Sequence, residues 1–386
     1  MKIIYADNNA TTRVADEVVA AMLPFFTEAY SNPSSMYAFA NCAKKPMEDA
    51  RAQVAQLINA GQPDEIIFTS CGTESDNAAI FGVLDAQPSK NHVIMSAVEH
   101  PAIYNLTDAL QRRGARVTHL SVNREGIVDV EQLRAAITDK TALVSVMWAN
   151  NETGVLSPIE EICRIAHERG VIVHTDAVQA VGKIPVDVQA VPVDLLSLSG
   201  HKFHAPKGVG ALYVKRGTRL RPFFVGGHQE HGRRAGTENV PSIVGLGAAA
   251  ELARAFLQDE ITRVRALRDR FEREILARVP HTRVNGHPVL RTPNTSSISF
   301  AYVEGEAILL SLSDAGICAS SGSACTSGSL EPSHVLIAMG LSHAEAHGTV
   351  RFSFSRYTTD AEIDYMLEHI PPVIARLRAI SPFYPG

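Results

Sequence analysis

Short apolar runs alternate with longer stretches of helical periodicity between about residues 45 and 250. Runs of this length, bounded by turn residues, are typical of buried strands. Strands separated by helices favour a parallel sheet that is covered on both faces. We therefore predict strands at 66–68, 92–95, 117–120, 143–147, 171–173, 195–198 and 210–214, and helices at 46–58, 76–84, 132–137 and 158–168.

The pattern changes near residue 240. Residues 245–277 form one long helical pattern, and a strand (349–355) and a helix (360–378) follow near the end of the chain. A chain of 386 residues is typical of two domains. We expect an α/β domain of residues 15–255 and a smaller α+β domain of residues 1–14 and 256–386.

Composition and charge exclude several classes of protein. Apolar residues make up 45% and charged residues 20% of the chain, which is ordinary globular composition. The net charge is −5, from 36 basic and 41 acidic residues, so no basic field attracts nucleic acid. No uninterrupted apolar run approaches the roughly 18 residues of a membrane span, and the N-terminus has no secretory pattern. We expect neither a nucleic-acid nor a membrane partner.

The cysteines favour a reduced, cytoplasmic protein. Their number is odd and their positions are scattered (Cys42, Cys71, Cys163, Cys318 and Cys325), so a disulfide framework is not expected. The chain has no CxxC pair, so the sequence does not support a zinc ribbon. Seven of the ten residues in 320–329 are Ser or Gly, which predicts a flexible loop at about 320–333 that carries Cys325. The other four cysteines fit an inert, packed role.

Three positions next to predicted strands could carry chemistry. Residues 69–75 join a strand to a helix through Gly72, a geometry that can bind phosphate or merely cap the helix. Asp176 ends a buried strand, where it could pair with a cation or satisfy the local backbone. Lys202 follows the strand at 195–198 and could be a desolvated nucleophile or a solvated surface lysine.

Taken together, the three positions match the needs of one cofactor. Pyridoxal phosphate requires a cradle for its phosphate, a lysine for its aldehyde and an acid for its ring nitrogen. The acid keeps the pyridine protonated, so that the ring can accept electrons. The sequence therefore predicts a pyridoxal-phosphate enzyme.

Six motifs lie in order along the chain: AVEHPA, VMWANNETG, HTDAVQAVGK, SGHKFHAPKGVG, RRAGTEN and SSGSACTSGSLEPSHV. Together with DNNATT at 7–12 and RYTT at 356–359, they resemble the NifS/IscS family of cysteine desulfurases, within aminotransferase class V. The likeness is greatest to the nitrogen-fixation NifS branch. The resemblance implies the type I fold of pyridoxal-phosphate transferases, with a mainly parallel seven-stranded sheet in the large domain and a smaller α+β domain.

The resemblance also implies roles for residues around the cofactor. Lys202 would bind the aldehyde and move the Cα proton, Asp176 would pair with the ring nitrogen, and Gln179 would hydrogen-bond the phenolic oxygen. His100 would stack on the ring and handle substrate protons, and Asn151 would donate to the ring. The phosphate would be bound by Gly72, Thr73, Ser199 and His201, and by Thr237 of a partner subunit in a homodimer. The substrate would be bound by Arg351, with Arg356 nearby, and by Asn32.

By the same resemblance, Cys325 is the sulfur acceptor. Its thiolate would attack the sulfur of L-cysteine, releasing L-alanine and leaving a persulfide. The sulfur would then pass to an iron–sulfur scaffold or another acceptor protein, in a pathway related to nitrogenase. No metal is expected in the resting enzyme, although the persulfide could transiently ligate a cluster iron.

Two alternatives stay open from the sequence. A selenocysteine lyase or an aminotransferase would keep the fold and cofactor, but an aminotransferase does not need a mobile cysteine. A metal-binding or cluster-carrying protein would use the HxxH pairs His201/His204 and His228/His231. Both pairs lie in Gly-rich segments without a helical pattern and lack a zincin glutamate, which disfavours this reading.

Overall fold

The computed structural model describes residues 3–321 and 332–385, and its main feature is a seven-stranded sheet. Strand β8 is antiparallel to both of its neighbours, and the other pairs are parallel. The order across the sheet is β2-β8-β7-β6-β5-β3-β4. The α/β class and the mainly parallel sheet predicted from the sequence are confirmed. The strands are β2 (Ile66–Thr69), β3 (His92–Ser96), β4 (Arg116–Leu120), β5 (Thr141–Ser145), β6 (Ile172–Asp176), β7 (Leu195–Ser199) and β8 (Gly210–Val214).

Helices pack against this sheet and bury its apolar strands. Five of its strands, β2, β3, β5, β7 and β8, are buried along their whole length, as expected for a sheet with two covered faces. The helices are α1 (Asp16–Met22), α2 (Pro24–Thr27), α3 (Asn41–Leu57), α4 (Gly72–Ala86), α5 (Pro101–Tyr104), α6 (Leu106–Arg112), α7 (Val130–Ala136), α8 (Ile159–His167) and α9 (Val240–Asp259).

The helices α3 and α9 form a close pair. The buried side of α3 repeats at helical spacing through Ala43, Met47, Ala50 and Val54. On α9, a Cβ atom added to Gly247 would lie 2.6 Å from the Cα atom of Ala50. Glycine at this position therefore permits the contact between the two backbones.

A second core lies around a smaller antiparallel sheet. Strands β9 (Thr282–Val284), β10 (Thr295–Phe300) and β12 (Thr349–Ser353) pair in the order β12-β10-β9. Ile4 and Ala6 also belong to this core, because β1 (Ile4–Tyr5) pairs with β11 (Ile317–Cys318). The division into two domains at residues 15 and 255 stays a prediction. The helices here are α10 (Arg265–Arg278), α11 (Gly305–Asp314), α12 (His334–Ala338), α13 (His343–His347) and α14 (Asp360–Ala379).

The long helical pattern predicted at 245–277 is observed as α9 and α10 joined by a π-helical turn at Glu260–Val264. The stretch Val240–Arg278 meets the length and composition criteria for a membrane span, which core helices of soluble proteins also meet. Half of its most apolar window is buried inside the protein. The absence of a membrane partner stays a prediction.

Helix α4 and strand β5 have boundaries near the sheet edge that differ from the sequence prediction. Helix α4 begins at Gly72 and not at Asp76, so the turn after β2 is shorter than expected. Strand β5 ends at Ser145 and not at Met147. The N–H of Met147 donates to the Glu99 carboxyl (2.9 Å), which takes it out of the strand ladder.

Candidate active site

The carboxyl ends of six parallel strands lie at one edge of the large sheet. All strands of this sheet except β8 share one direction, because β8 is antiparallel to both β2 and β7 and the other pairs are parallel. Open α/β sheets bind ligands beyond this edge, and a cavity of about 350 Å³ lies there. Ten residues predicted from the sequence line it: Gly72, Thr73, His100, Asn151, Asp176, Gln179, Ser199, His201, Lys202 and Arg351.

One end of the cavity is formed by the start of helix α4. The residue before the helix, Cys71, makes no side-chain capping bond, and Gly72 and Thr73 line the cavity. The first N–H groups of a helix have no partner within it and carry a partial positive charge. A Cβ atom on Gly72 would lie 2.9 Å from Cγ2 of Val178, so the site requires glycine. This end of the cavity suits a phosphate.

Asp176 is the last residue of β6 and is 5% exposed. Its carboxylate accepts a hydrogen bond from the N–H of Val178 (2.9 Å), the local backbone contact allowed for at the sequence level. Burial raises the pKa of Asp176 to about 6, against the lowering effects of that hydrogen bond and of Lys202. A cationic ring nitrogen beside Asp176 would stabilise the ionised carboxylate further.

Lys202 lies in a short 3₁₀ turn after β7, and its side chain reaches the cavity. The amine donates to the backbone carbonyls of Asn9 (2.6 Å) and Ala10 (2.7 Å). It is therefore not the solvated surface lysine that was the alternative. The contacts place the amine between the N-terminal segment and the cavity, where a carbonyl ligand could reach it.

Asn9 is a site residue that the sequence reading did not assign a role. Its side chain donates to Thr295 (2.8 Å) and to the carbonyl of Asn151 (3.2 Å), and its own backbone carbonyl accepts from Gln179 (2.9 Å). Only its place in DNNATT gave any signal, because these partners lie more than a hundred residues away in sequence. Five further unassigned residues line the cavity: Ala10, Cys71, Asp76, Met147 and Val178.

His100 precedes α5 and faces the cavity. Its Nδ1 accepts a hydrogen bond from the N–H of Ala102 (3.1 Å), so a neutral ring carries its proton on Nε2. Burial and, to a smaller extent, the charges of Lys202, His334 and Arg351 together lower the pKa of His100 to about 4. The ring is therefore neutral near pH 7.

Arg351 is a buried cation on β12 that lines the cavity. Its guanidinium donates to Asp7 (2.8 Å) and to the carbonyl of Asn151 (2.9 Å), whereas its Nε has no hydrogen-bond partner among the described residues. Arg356, the possible second substrate arginine, does not line this cavity and stacks over Phe256, with 4.9 Å to the ring centroid. Asp7 was not predicted.

Three predicted site residues, Asn32, Thr237 and Cys325, are not among the described residues that line the cavity. Asn32 and Thr237 are exposed and do not line it, and their roles stay predictions. Cys325 lies in 322–331, outside the described residues. The expectation of packed cysteines is wrong for Cys42, Cys71 and Cys318, which are all half-buried, and Cys71 lies at the cavity wall. Cys163 is buried, and its burial raises the pKa of the thiol to about 12.

The described ranges contain no group of three or more His, Cys, Asp or Glu side chains that could hold a metal ion. In the first HxxH pair, His201 contacts the hydroxyl of Thr11 (3.1 Å) and His204 contacts the carbonyl of Arg13 (3.0 Å). The second pair, His228 and His231, lies at a 3₁₀ turn in which His231 has a φ of 56°. These contacts give the metal reading no support.

The cavity fits pyridoxal phosphate on its own chemistry. The uncapped start of α4 suits an anion, Asp176 suits a protonated ring nitrogen, and Lys202 suits an aldehyde. The side-chain oxygen of Asn151 is buried and has no hydrogen-bond partner among the described residues, as expected where a ligand completes the site.

Comparisons with known proteins agree with this geometry. A profile of the aminotransferase class-V family matches residues 4–366. The chain is 60% identical to cysteine desulfurase 2 of Trichormus variabilis, over 99% of this chain and 96% of the relative. It is 57% identical to cysteine desulfurase NifS of Azotobacter vinelandii, over 100% of this chain and 96% of the relative. Among solved structures, a NifS-like protein superposes with a TM-score of 0.92 and 37% identity, over 97% of this chain and 100% of its own. The structure of SspA in complex with cysteine superposes with a TM-score of 0.81 and 35% identity, over 92% of this chain and 99% of its own.

Proposed function

The chain belongs to the aminotransferase class-V family and is a pyridoxal-phosphate-dependent cysteine desulfurase, and we propose how its residues carry out the reaction. The observation that supports the assignment of roles is a single cavity that contains the Lys202 amine, the Asp176 carboxylate and the uncapped start of α4. When bound, pyridoxal phosphate supplies a ring that takes up the electron pair left by the Cα proton.

Lys202 is the residue that we propose to hold the cofactor and to move the Cα proton. The amine lies at the cavity beside the carbonyls of Asn9 and Ala10. These carbonyls would hold the Lys202 amine at the cavity whenever it is not bonded to the cofactor, so that it stays available to move a proton. Asp176 would hold the ring nitrogen, and the α4 start with Ser199 and His201 would hold the phosphate.

His100 is the second proton-handling group in this proposal. Its neutral ring carries a proton on Nε2, because Nδ1 accepts from Ala102. A hydrogen-bond donor, rather than a base, therefore faces the reacting groups at the start of the reaction. This state suits stacking on the cofactor ring and later donation of a proton to the product.

Arg351 is proposed to bind the substrate carboxylate. Guanidinium and carboxylate groups match in shape and charge, and Arg351 is 3% exposed at the cavity. Asp7 already balances its charge, so the substrate must share this cation or displace Asp7. Asn32 is proposed as a further substrate contact.

Cys325 is proposed as the sulfur acceptor. Its thiolate attacks the sulfur of bound cysteine, so that an S–S bond forms as the Cβ–S bond breaks. The electrons of the broken bond stay with carbon and, after protonation, yield alanine. The sum is cysteine plus enzyme thiol giving alanine plus enzyme persulfide, which needs no external oxidant.

We further propose the context of the reaction. The persulfide sulfur passes to an acceptor protein of iron–sulfur cluster assembly, and the likeness to NifS favours a nitrogenase-related pathway. A homodimer would bring the exposed Thr237 to the phosphate of the partner subunit. The scattered cysteines, which are free thiols at the four described positions, suit a cytoplasmic protein.

The test compares alanine and sulfide formation from L-cysteine by the wild type and by Cys325→Ala. We expect the variant to lose alanine formation, and mass spectrometry to find one extra sulfur on Cys325 in the wild type only. Cys42→Ala is the matched control, because Cys42 does not line the cavity, and it should keep activity. Alanine formed by Cys325→Ala at the wild-type rate, or amino-group transfer to a keto acid, would contradict the proposal.

A further inference from the structure

Lys183 is a buried lysine that the proposed reaction does not use. It lies four residues after Gln179 in a segment of turns and is 5% exposed. Its amine donates to Oδ1 of Asn9 (3.0 Å) and makes a short hydrogen bond to Oε1 of Gln179. Burial lowers the pKa of Lys183 well below its usual range, so keeping this amine inside the protein is costly.

The partners of Lys183 determine which way the Gln179 amide faces. The amide oxygen of Gln179 accepts from Lys183, and its NH₂ group donates to the backbone carbonyl of Asn9 (2.9 Å). A carbonyl oxygen can only accept, so the NH₂ end must be the one that faces it. The second N–H of that group is then available on the side where Gln179 lines the cavity.

The bond to Lys183 is the contact that holds Gln179 independently of Lys202. The carbonyl of Asn9 is shared, because Lys202 also donates to it (2.6 Å). Lys202 must move during the reaction, so that carbonyl changes partners. Lys183 is tied instead to the Asn9 side chain, which Asn294 also binds (3.0 Å). This second anchor does not depend on the position of Lys202.

Charges around Lys183 come from more than one element. Lys183, Lys202 and Glu260 border a second cavity of about 20 Å³, large enough for one water molecule. Glu260 raises the pKa of Lys183, whereas Lys202 and Arg351 lower it, although burial has the largest effect. Whichever charge state results, both contacts described above use Lys183 as a donor.

We propose that Lys183 is a positioning residue that orients the Gln179 amide so that its NH₂ group faces the phenolic oxygen of bound pyridoxal phosphate. The proposal rests on the proposed function, in which Gln179 donates to that oxygen. A donor there stabilises the ionised phenolate and lowers the pKa of the cofactor. Without Lys183, the amide can rotate and part of this effect is lost.

The test follows the visible absorption of the bound cofactor as a function of pH, a measurement that does not depend on turnover. We expect Lys183→Met to raise the pKa of the spectral change by roughly 0.5–1 pH unit, the size expected for one hydrogen bond. Gln179→Ala should produce a similar rise. The double variant should add little to either, because both changes remove the same interaction.

Arg291→Met is the matched control, because it removes a buried cation from its pair with Glu272, outside the cavity. It should lower thermal stability and leave the spectral pKa unchanged. A Lys183→Met protein that is destabilised like this control but has the wild-type spectral pKa would overturn the proposal. Shifts that add fully in the double variant would also overturn it.

Gln179→Glu covers the case in which Lys183→Met does not fold. The new carboxylate can keep one oxygen on Lys183 as an ion pair, and its other oxygen would face the phenolate. We expect a folded protein with a raised spectral pKa, and an unchanged pKa would overturn the proposal. If the wild type acquires no cofactor absorption at all, the proposed function fails and the role of Lys183 fails with it.

Discussion

Asp76, Glu99 and Asp176 are three carboxyl groups buried at the same edge of the sheet. Burial raises the pKa of Glu99 to about 8 and that of Asp176 to about 6. It also raises the pKa of Asp76, whose Oδ1 has no hydrogen-bond partner among the described residues, and the neighbouring charge of Asp176 adds to this rise. The folded protein therefore holds protons near neutral pH that the unfolded chain has lost.

Glu99→Gln tests this effect on stability. A carboxyl whose folded pKa is raised from about 4.5 to about 8 makes the folded state less stable as pH rises through that interval. The amide of the variant would keep the acceptor for Ser96 and Met147 without titrating. We expect the free energy of unfolding to fall less steeply between pH 5 and pH 8 in the variant, measured by urea unfolding.

Glu345→Gln is the control for this experiment. Hydrogen bonds from Ser342 lower the pKa of the Glu345 carboxyl, so its stabilising effect is present above the unfolded pKa and is lost only as pH falls. Its removal should leave the slope between pH 5 and pH 8 unchanged. A Glu99→Gln protein with the wild-type slope would show that Glu99 is ionised in the folded state.

Gly72→Ala tests the anion-binding end of the cavity. The new Cβ atom would lie 2.9 Å from Val178 and 3.5 Å from Ser199, so the two strand-end segments must move apart. We expect pyridoxal phosphate to bind at least tenfold more weakly, with a stability loss of about 1–3 kcal/mol. Equilibrium dialysis measures the affinity. Gly61→Ala is the control, because Gly61 does not line the cavity and the atom nearest to a new Cβ, an oxygen of Glu65, lies 3.3 Å away; it should bind the cofactor normally. Equal losses of affinity in both variants would contradict a phosphate site at the start of α4.

At the scale of elements, the position of Asp176 at a strand end could be predicted from sequence, whereas the start of α4 could not. An apolar run followed by a polar residue is local information, and it located Asp176 and the turn before Lys202. The start of α4 at Gly72 was missed, because the polar residues Thr73 to Ser75 gave no helical pattern. That error matters, because a start at Gly72 places the N-terminus of α4 directly at the cavity.

Helix α12 is held at the active-site side of the protein by its first residues. The hydroxyl of Ser333 caps the helix through the N–H of Leu336 (3.3 Å) and donates to the buried Glu152 carboxyl (2.5 Å). The ring of His334 bonds the carbonyl of Glu99 (3.0 Å), the residue before His100. These contacts tie the residues after the undescribed segment 322–331 to the loops that form the cavity.

Ser333→Ala should therefore cost more than loss of a helix cap alone. Removing a cap costs about 1 kcal/mol, and an unpartnered buried carboxyl adds about 1–3 kcal/mol. Hydrogen exchange at residues 334–338 should become faster by a factor of about ten or more, as that free energy implies. Ser342→Ala, which removes the exposed cap of α13, provides the comparison. Similar protection losses in the two variants would mean that the bond to Glu152 contributes nothing.

At the scale of the whole molecule, the N-terminal segment joins the two cores. Ile4 is buried with the smaller sheet, Val18 is buried with the large one, and Asn9 lies between them at the cavity. Neither Asn9 nor Lys183 could be assigned from the sequence by its local pattern. Their contacts are distant in sequence: Asn9 and Thr295 are 286 positions apart, and Asn9 and Lys183 are 174 positions apart.

Lys202, and not the neighbouring Lys183, is expected to hold pyridoxal phosphate. Lys202 lines the cavity, whereas Lys183 is buried behind it. The direct measurement is borohydride reduction of the cofactor-loaded protein, followed by proteolysis and mass spectrometry of the lysine-containing peptides. We expect one pyridoxyl adduct, on Lys202. An adduct on Lys183 or on any other lysine, or a loaded protein that gives no adduct, would contradict it.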